Sequence, residues 1–300
     1  MSVPNPEIFK RKLQDPLIDL VYHEMIIDGQ PLRYVATSRH GTRRTKTLFI
    51  KEPTTVPWID TFKAGEVVYD VGANVGLYST YAAAVRKCRV YAFEPEALNY
   101  AEVNKNIYIN NIDELMTAYC AAVSDEQAIS VLHLGSFAIG WSHHDFRENT
   151  WTKDKNFGGH VVKREGRMRQ GSLSVTLDAM VDSGAAEPPH HIKIDVDGIE
   201  ARVVRGAKKT IASPTLKTIL LEVDFSIPEN VALVQQLEDA GWRYSPDQVR
   251  INQHEVLPYE KVLERMKKGS GGQNFIFFKD DFYMDYFRDY AASFVPPNPK

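Results

Sequence analysis

The chain has 300 residues, 43% of them hydrophobic, and a formal net charge of −3. That length makes one large domain or two small ones with ample apolar material for a core, and the near-balanced charge gives no reason to expect nucleic acid or an anionic membrane as partner. The two cysteines, Cys88 and Cys120, exclude a disulfide framework; both lie in or beside apolar runs, as small buried residues do. No apolar run approaches about 20 residues, and Met1 to Lys12 lacks the apolar stretch of a signal peptide, so a soluble, cytoplasmic protein is expected.

Met1 to Asp15 reads as a leader with room for one helical turn. Leu17 to Ile27 and Leu32 to Thr37 flank Asp28-Gly29-Gln30-Pro31, a turn signal that predicts a hairpin. Arg39 to Lys46 is basic and reads as a solvated loop in preference to a lid over an anionic substrate. After Thr54 to Lys63 comes Val67 to Val71, a short run with three β-branched valines, which predicts a buried strand. Gly72, Asn74 and Gly76 then make a turn, and Leu77 to Val85 has helical spacing. A strand passing through glycines into a helix brings backbone N–H groups and the positive helix end to one point, which suits the polar end of a nucleotide-like ligand.

The pattern Asp70-x-Gly72-x-Asn74-x-Gly76 lacks the middle glycine of a dinucleotide turn. An anionic Asp70 repels pyrophosphate but accepts hydrogen bonds from an ammonium group, which favours S-adenosylmethionine (SAM). Arg89 to Phe93 predicts a second strand with Glu94 at its end. An acid about 20 residues past the turn holds ribose hydroxyls in either cofactor class. A helix over Ala97 to Ile109 ends near Asn110-Asn111, and Leu115 to Val123 is a third apolar run. The loop after a third strand borders adenine in such sheets, so Ala121, Ala122 and Ser124 are candidates there.

Ile129 to Leu134 predicts another strand, and periodicity is then lost from Gly135 to Arg169. That stretch holds Trp141, His143, His144, Asp145, Arg147, Trp151, His160, Arg164 and Arg167, with Gly158-Gly159 as a hinge. Loops this long are often functional; the alternatives are a substrate pocket or a surface insertion, and for any single histidine the insertion is preferred. Adjacent His143 and His144 do not match a metal-binding pair on a helix. Gly171 to Leu177 alternates as a half-exposed strand, and Asp178 to Val181 starts a helix.

Ile192 to Val196 is a strand with Asp195 at its carboxyl end, and Gly198 turns the chain into a helix over Ile199 to Ile211. Ligands of doubly wound sheets bind beyond the carboxyl strand ends, so Asp195 and Asp197 share a crevice with Asp70 and Glu94. His190 and His191, at the opposite end, are structural or exposed. Thr218 to Val223 is a strand bearing Glu222, with Asp224 after it; Val231 to Ala240 is a helix; Trp242 to Tyr244 and Asn274 to Phe278 are late strands. The aromatic tail, Phe282 to Phe294, either caps the core or packs on a second copy in a homo-oligomer. The expected organisation is an extension over 1–60 and one catalytic domain over 61–300, with an insertion at about 135–170 and a tail at 280–300.

Asp70-Val71-Gly72-Ala73-Asn74-Val75-Gly76, Phe93-Glu94-Pro95, Ala122-Val123-Ser124, Thr176-Leu177-Asp178, Lys193 to Glu200 and Leu220-Leu221-Glu222 together resemble the FkbM family of SAM-dependent methyltransferases. The resemblance implies an α/β class I methyltransferase (Rossmann-like) sheet of seven strands, the last antiparallel, with helices on both faces. It also implies O-methylation of a hydroxyl on a sugar, glycan or natural product. Asp70, Gly72, Asn74 and Gly76 would then hold the methionine part of SAM, and Glu94, followed by Pro95, the ribose. Asp195 would lie nearest the transferred methyl, orienting the acceptor hydroxyl or acting as base if burial raises its pKa, with Asp197 beside it; His143, His144 or His160 is the alternative base. One departure is Asp197, where the family often has Glu. A divalent cation at Asp195, Asp197 and Glu200 ranks below a helix cap, so no metal is assigned. A nicotinamide-dependent oxidoreductase and a non-catalytic SAM-binding module are the alternatives.

Overall fold

The computed structural model describes residues 6–14, 19–147, 155–157, 160–162 and 168–297. Trp151, Gly158, Gly159, Arg164 and Arg167 lie outside them. The chain opens with strands β1 (Phe9–Lys12), β2 (Val21–Ile27) and β3 (Gln30–Val35), then helices α1 (Arg39–Lys46) and α2 (Thr55–Asp60). Alternation follows: β4 (Val67–Val71), α3 (Leu77–Ala84), β5 (Arg89–Phe93), α4 (Ala97–Asn110), β6 (Met116–Tyr119). Next come β7 (Ala122–Val123), β8 (Ala128–Leu134), β9 (His144–Phe146), β10 (Lys155–Phe157), β11 (His160–Val162) and β12 (Met168–Val175). The last part is α5 (Leu177–Asp182), β13 (His191–Ile194), α6 (Glu200–Arg205), α7 (Lys208–Ala212), β14 (Thr218–Asp224), α8 (Pro228–Asp239), β15 (Arg243–Tyr244), α9 (Pro246–Val249), α10 (Tyr259–Lys268), β16 (Gly272–Phe278) and α11 (Phe282–Ser293).

Seven strands form the main sheet in the order β15-β16-β14-β13-β4-β5-β6. From β14 to β6 all neighbours are parallel, and β16 is antiparallel to β14. This is the class I methyltransferase arrangement. The chain winds one way from β4 and the other way from β13, so these neighbours mark the switch point where such sheets open a ligand crevice. All five residues of β4 are buried, and apolar layers cover both sheet faces. Parallel strands require this, since their crossovers put helices on both sides.

Several expectations change. Phe9–Lys12 is a strand paired with β2, not a helical turn. Arg39 to Lys46 is a helix, not a loop: the Ser38 side chain caps it by accepting from the Gly41 amide at 2.8 Å, and basic residues in its last turn face the negative helix end. The run Leu115 to Val123 divides. β6 stays in the main sheet, whereas β7 pairs with β12 in a second sheet of order β7-β12-β8-β9. Cys120 stands at that division and is exposed, contrary to expectation. The helix over Ile199 to Ile211 is two short helices separated at Gly206-Ala207, and α9 and α10 had no counterpart in the sequence reading.

The aromatic tail caps the chain's own core. Tyr283 and Phe287 are buried with Trp58 and Phe278, and the hydroxyls of Tyr286 and Tyr290 donate to the carbonyls of Pro57 and Pro53 at 2.8 and 2.7 Å. At the amino ends of the central strands, His191 is structural. It stacks on Phe62 with centroids 3.6 Å apart and bonds to Thr218 and Glu66 at 2.7 and 3.0 Å; burial lowers its pKa to about 4. No helix among the described residues is long and apolar enough to cross a membrane.

Candidate active site

A cavity of 790 Å³ opens beyond the carboxyl ends of β4, β5, β13 and β14. Its wall contains Asp70, Gly72, Asn74, Glu94, Pro95, Ala122, His144, Asp195 and Asp197. Most of the residues singled out from the sequence, Ala121 and His143 included, are therefore brought together. Gly76 and Ser124 are not on the wall; Ser124 is fully buried, its amide donating to the Val175 carbonyl at 2.9 Å and its hydroxyl to Asp125 at 3.1 Å.

The glycine turn is folded on itself. Gly72 and Ala73 amides both donate to the Phe93 carbonyl at 3.0 Å, the Asn74 amide donates to Glu94 at 2.8 Å, and the Gly76 amide donates to Ala73 at 2.8 Å. These four donors are not available to a phosphate, which is the interaction a dinucleotide turn provides. Gly72 has φ 83°, and a Cβ there would lie 1.9 Å from the Asp195 carbonyl oxygen. Only glycine lets the turn approach the end of β13 so closely.

Asp70 is 3% exposed. Its Oδ2 accepts from the Ser79 hydroxyl, while Oδ1 has no hydrogen-bond partner and lies 4.0 Å from Lys193 Nζ. Burial raises the Asp70 pKa against the pull of Lys193. Glu94, also buried, accepts from the Asn74 and Glu96 amides at 2.8 and 2.9 Å; burial lifts its pKa to about 8.

Asn74, on the cavity wall, also ties down a segment distant in sequence. With φ 52°, its Nδ2 donates to the Trp141 carbonyl at 2.7 Å. Asn99 reinforces the tie, donating to the same carbonyl at 3.1 Å and accepting from the Gly140 amide at 2.7 Å. Arg44 of α1 donates to the Gly140 carbonyl at 2.8 Å, and Ser38 to Ile139 at 2.9 Å. Residues 139–144 are thus strapped across the glycine turn, and this carries His143 and His144 to the cavity.

At the β13 end, Lys193 and Asp195 project from the same strand face, two residues apart. Lys193 Nζ donates to Asp195 Oδ2 at 2.7 Å from a nearly fully buried position. Lys193 holds Asp195 well below the ordinary carboxylate range despite burial. Glu222 is in hydrogen-bond contact with Asp195, and repulsion from Asp195 together with burial raises the Glu222 pKa well above the ordinary carboxylate range. Glu200 braces the intervening loop, accepting from the Val196 and Gly198 amides at 3.3 and 3.1 Å and from Asn230. Among the described residues no three His, Cys, Asp or Glu side chains are placed to hold a metal ion.

His144, on β9, has no hydrogen bond of good geometry at either ring nitrogen. Burial lowers its pKa, against the opposing pull of Glu96 and Asp197. His143 is paired instead: its Nδ1 lies 3.1 Å from Asp197 Oδ1, and its amide donates to Asp197 Oδ2 at 2.5 Å. The sequence reading did not single out Lys51, Glu52 and Tyr78, which also line the cavity together with Arg44 of the basic stretch. Lys193 was legible, since a Lys-x-Asp step on a strand puts both side chains on one face.

The sequence profile described as the Methyltransferase FkbM domain matches residues 70–244, more than half of the chain and most of these features. The protein belongs to the FkbM methyltransferase family. A relative of this FkbM chain is the hexuronic acid methyltransferase AglP of Haloferax volcanii, 23% identical over 206 residues that cover 68% of this chain and 76% of the relative. Solved structures similar to it include precorrin-6y C5,15-methyltransferase from Geobacter metallireducens, with 11% identity, TM-score 0.40 and coverage of 76% of this chain and 86% of the other. Another is TrmK of M. capricolum in complex with S-adenosyl-homocysteine, with 7% identity, TM-score 0.39 and coverage of 76% and 68%. At these scores nothing about ligands or substrates passes from the two structures to the FkbM chain.

Proposed function

We propose that the protein transfers the methyl group of SAM to a hydroxyl of a sugar or glycan acceptor. The observation that carries this reading is Asp70: a buried carboxylate on the cavity wall with one oxygen that has no hydrogen bond and only Lys193 at 4.0 Å, beside a turn whose amides are already bonded. An orphaned buried acceptor is costly unless a ligand satisfies it. An ammonium group suits it and a pyrophosphate does not, which favours SAM over a nicotinamide dinucleotide. Asp70 then holds the amino group, Glu94 accepts from the ribose hydroxyls, and the buried patch of Ala122, Leu132 and Phe146 faces the base. When bound, SAM supplies a methyl group on a cationic sulfur, ready for in-line displacement.

Asp195 orients the acceptor hydroxyl as an ionised hydrogen-bond acceptor. Held anionic by Lys193, it is too weakly basic to keep a proton. His144 is a hydrogen-bonding group for a ligand, since burial disfavours its charged form. The carboxyl groups of Glu52, Asp195, Glu222 and Asp224 around the opening offer several acceptors to a polyhydroxyl compound. The name of AglP, a hexuronic acid methyltransferase, supports a sugar acceptor.

Glu94 gives a pH signature. Its pKa of about 8 in the free protein means that it is mostly protonated at pH 7. Ribose hydroxyls donate to the ionised form, so binding expels a proton and SAM affinity rises with pH until about 8, by up to tenfold per unit. Calorimetry in buffers of different ionisation enthalpy reads this directly. Glu94→Gln is expected to weaken SAM by about ten- to a hundredfold and to flatten the dependence; unchanged affinity, or no proton release in the wild type, counts against the ribose assignment.

A further inference from the structure

We infer that His143 and Asp197 form the general-base pair that takes the proton from the acceptor hydroxyl, which deepens the hydroxyl-transfer reading and rests on it. The two residues are 54 apart in sequence and meet only because the strap 139–144 crosses the site. Asp197 grips His143 twice, one oxygen on its backbone amide at 2.5 Å and the other 3.1 Å from its Nδ1. Both residues line the same cavity as Asp195. Both also have left-handed backbones, with φ 66° for His143 and 57° for Asp197. Non-glycine residues rarely adopt that conformation, and such departures gather at functional sites.

The pairing fixes the tautomer. An ionised carboxylate only accepts hydrogen bonds, so the neutral ring carries its hydrogen on Nδ1 and its lone pair on Nε2. As the acceptor oxygen bonds to the methyl carbon and the carbon–sulfur bond breaks, with its electrons left on sulfur, the hydroxyl proton passes to Nε2. The imidazolium so formed faces the Asp197 carboxylate. Its side chain is 41% exposed, so the proton then leaves to solvent. Of the other candidates, Asp195 is engaged by Lys193 and Glu222. His144 has no carboxylate in hydrogen-bond contact.

Asp197→Asn is the discriminating substitution. Asn tolerates the left-handed backbone and has the same shape, but it presents one oxygen to two donors, so either the ring or the backbone contact must face an NH₂ group. Nitrogen-15 NMR of histidine-labelled protein is expected to show His143 with hydrogen on Nδ1 in the wild type and a shift toward the Nε2–H tautomer in Asp197→Asn. With an acceptor that the wild type methylates, His143→Gln is expected to lower kcat by about 10²- to 10⁴-fold with SAM affinity within about threefold of wild type. A wild-type Nε2–H tautomer, or kcat of His143→Gln within about fivefold of wild type, overturns the pair. Wild-type protein that shows the Nδ1–H tautomer and binds SAM but methylates no hydroxyl counts against the hydroxyl reading, and leaves the pairing supported by the NMR result.

Discussion

Gly72→Ala is expected to abolish measurable SAM binding and to cost the fold about 3 kcal/mol or more. The added Cβ would stand 1.9 Å from the Asp195 carbonyl oxygen and 2.9 Å from its carbonyl carbon, and both are backbone atoms that no rotamer change can clear. The left-handed φ of 83° adds about 1–2 kcal/mol for any residue with a Cβ. Relief requires β4 and β13 to separate at the switch point, which moves Asp70 and Asp195 together. Thermal unfolding and SAM titration measure the two losses. A variant that melts with the wild type and binds SAM within threefold would show that the turn is not tightly apposed to β13.

Asp195→Asn is expected to lower kcat by about 10²- to 10³-fold while leaving SAM affinity within about threefold. Removing one member of a buried ion pair ordinarily costs about 3–5 kcal/mol, because the other charge is left uncompensated. Here Glu222 is the remedy. The Asp195 charge raises the Glu222 pKa, so loss of that charge favours an ionised Glu222, which acts on Lys51 and restores a negative charge to the cluster. The stability loss is therefore expected to be about 1–2 kcal/mol, and the fall in activity reports the missing acceptor on the substrate hydroxyl. Glu222→Gln combined with Asp195→Asn removes the remedy and should unfold far more readily than either single variant. Equal losses of kcat and SAM affinity in Asp195→Asn would reassign Asp195 to cofactor binding.

Most of the fold was legible because hydrophobic runs and turn residues are local signals. Val67 to Val71 declares its period and its boundaries, and the hairpin around Asp28-Gly29 and the late strand at Asn274 to Phe278 declare their position and their carboxyl ends. The crevice of the candidate site was legible for the same reason: Asp70, Glu94 and Asp195 each stand at the carboxyl end of such a strand and line one cavity. The misses depend on contacts distant in sequence. Helix α1 is hidden by its charge, and its N-cap at Ser38 also holds the Ile139 carbonyl, 101 residues away. Asn74 was visible in the glycine turn, but its donation to the Trp141 carbonyl is a pairing that no local pattern announces. The His143–Asp197 contact has the same character. Its two residues were each visible as candidates, but only the strap brings them together, whereas neighbouring His144 lies in the same segment without a carboxylate partner.

The most direct test is to incubate the protein with SAM carrying a deuterated methyl group and a panel of neutral sugars, sugar acids and short glycans, and to locate the label by mass spectrometry. A deuterated methyl ether on a sugar hydroxyl, absent with His143→Gln and with Asp195→Asn, is the expected result. Label found only as a carboxylate ester or on nitrogen, with no ether across the panel, would contradict hydroxyl transfer.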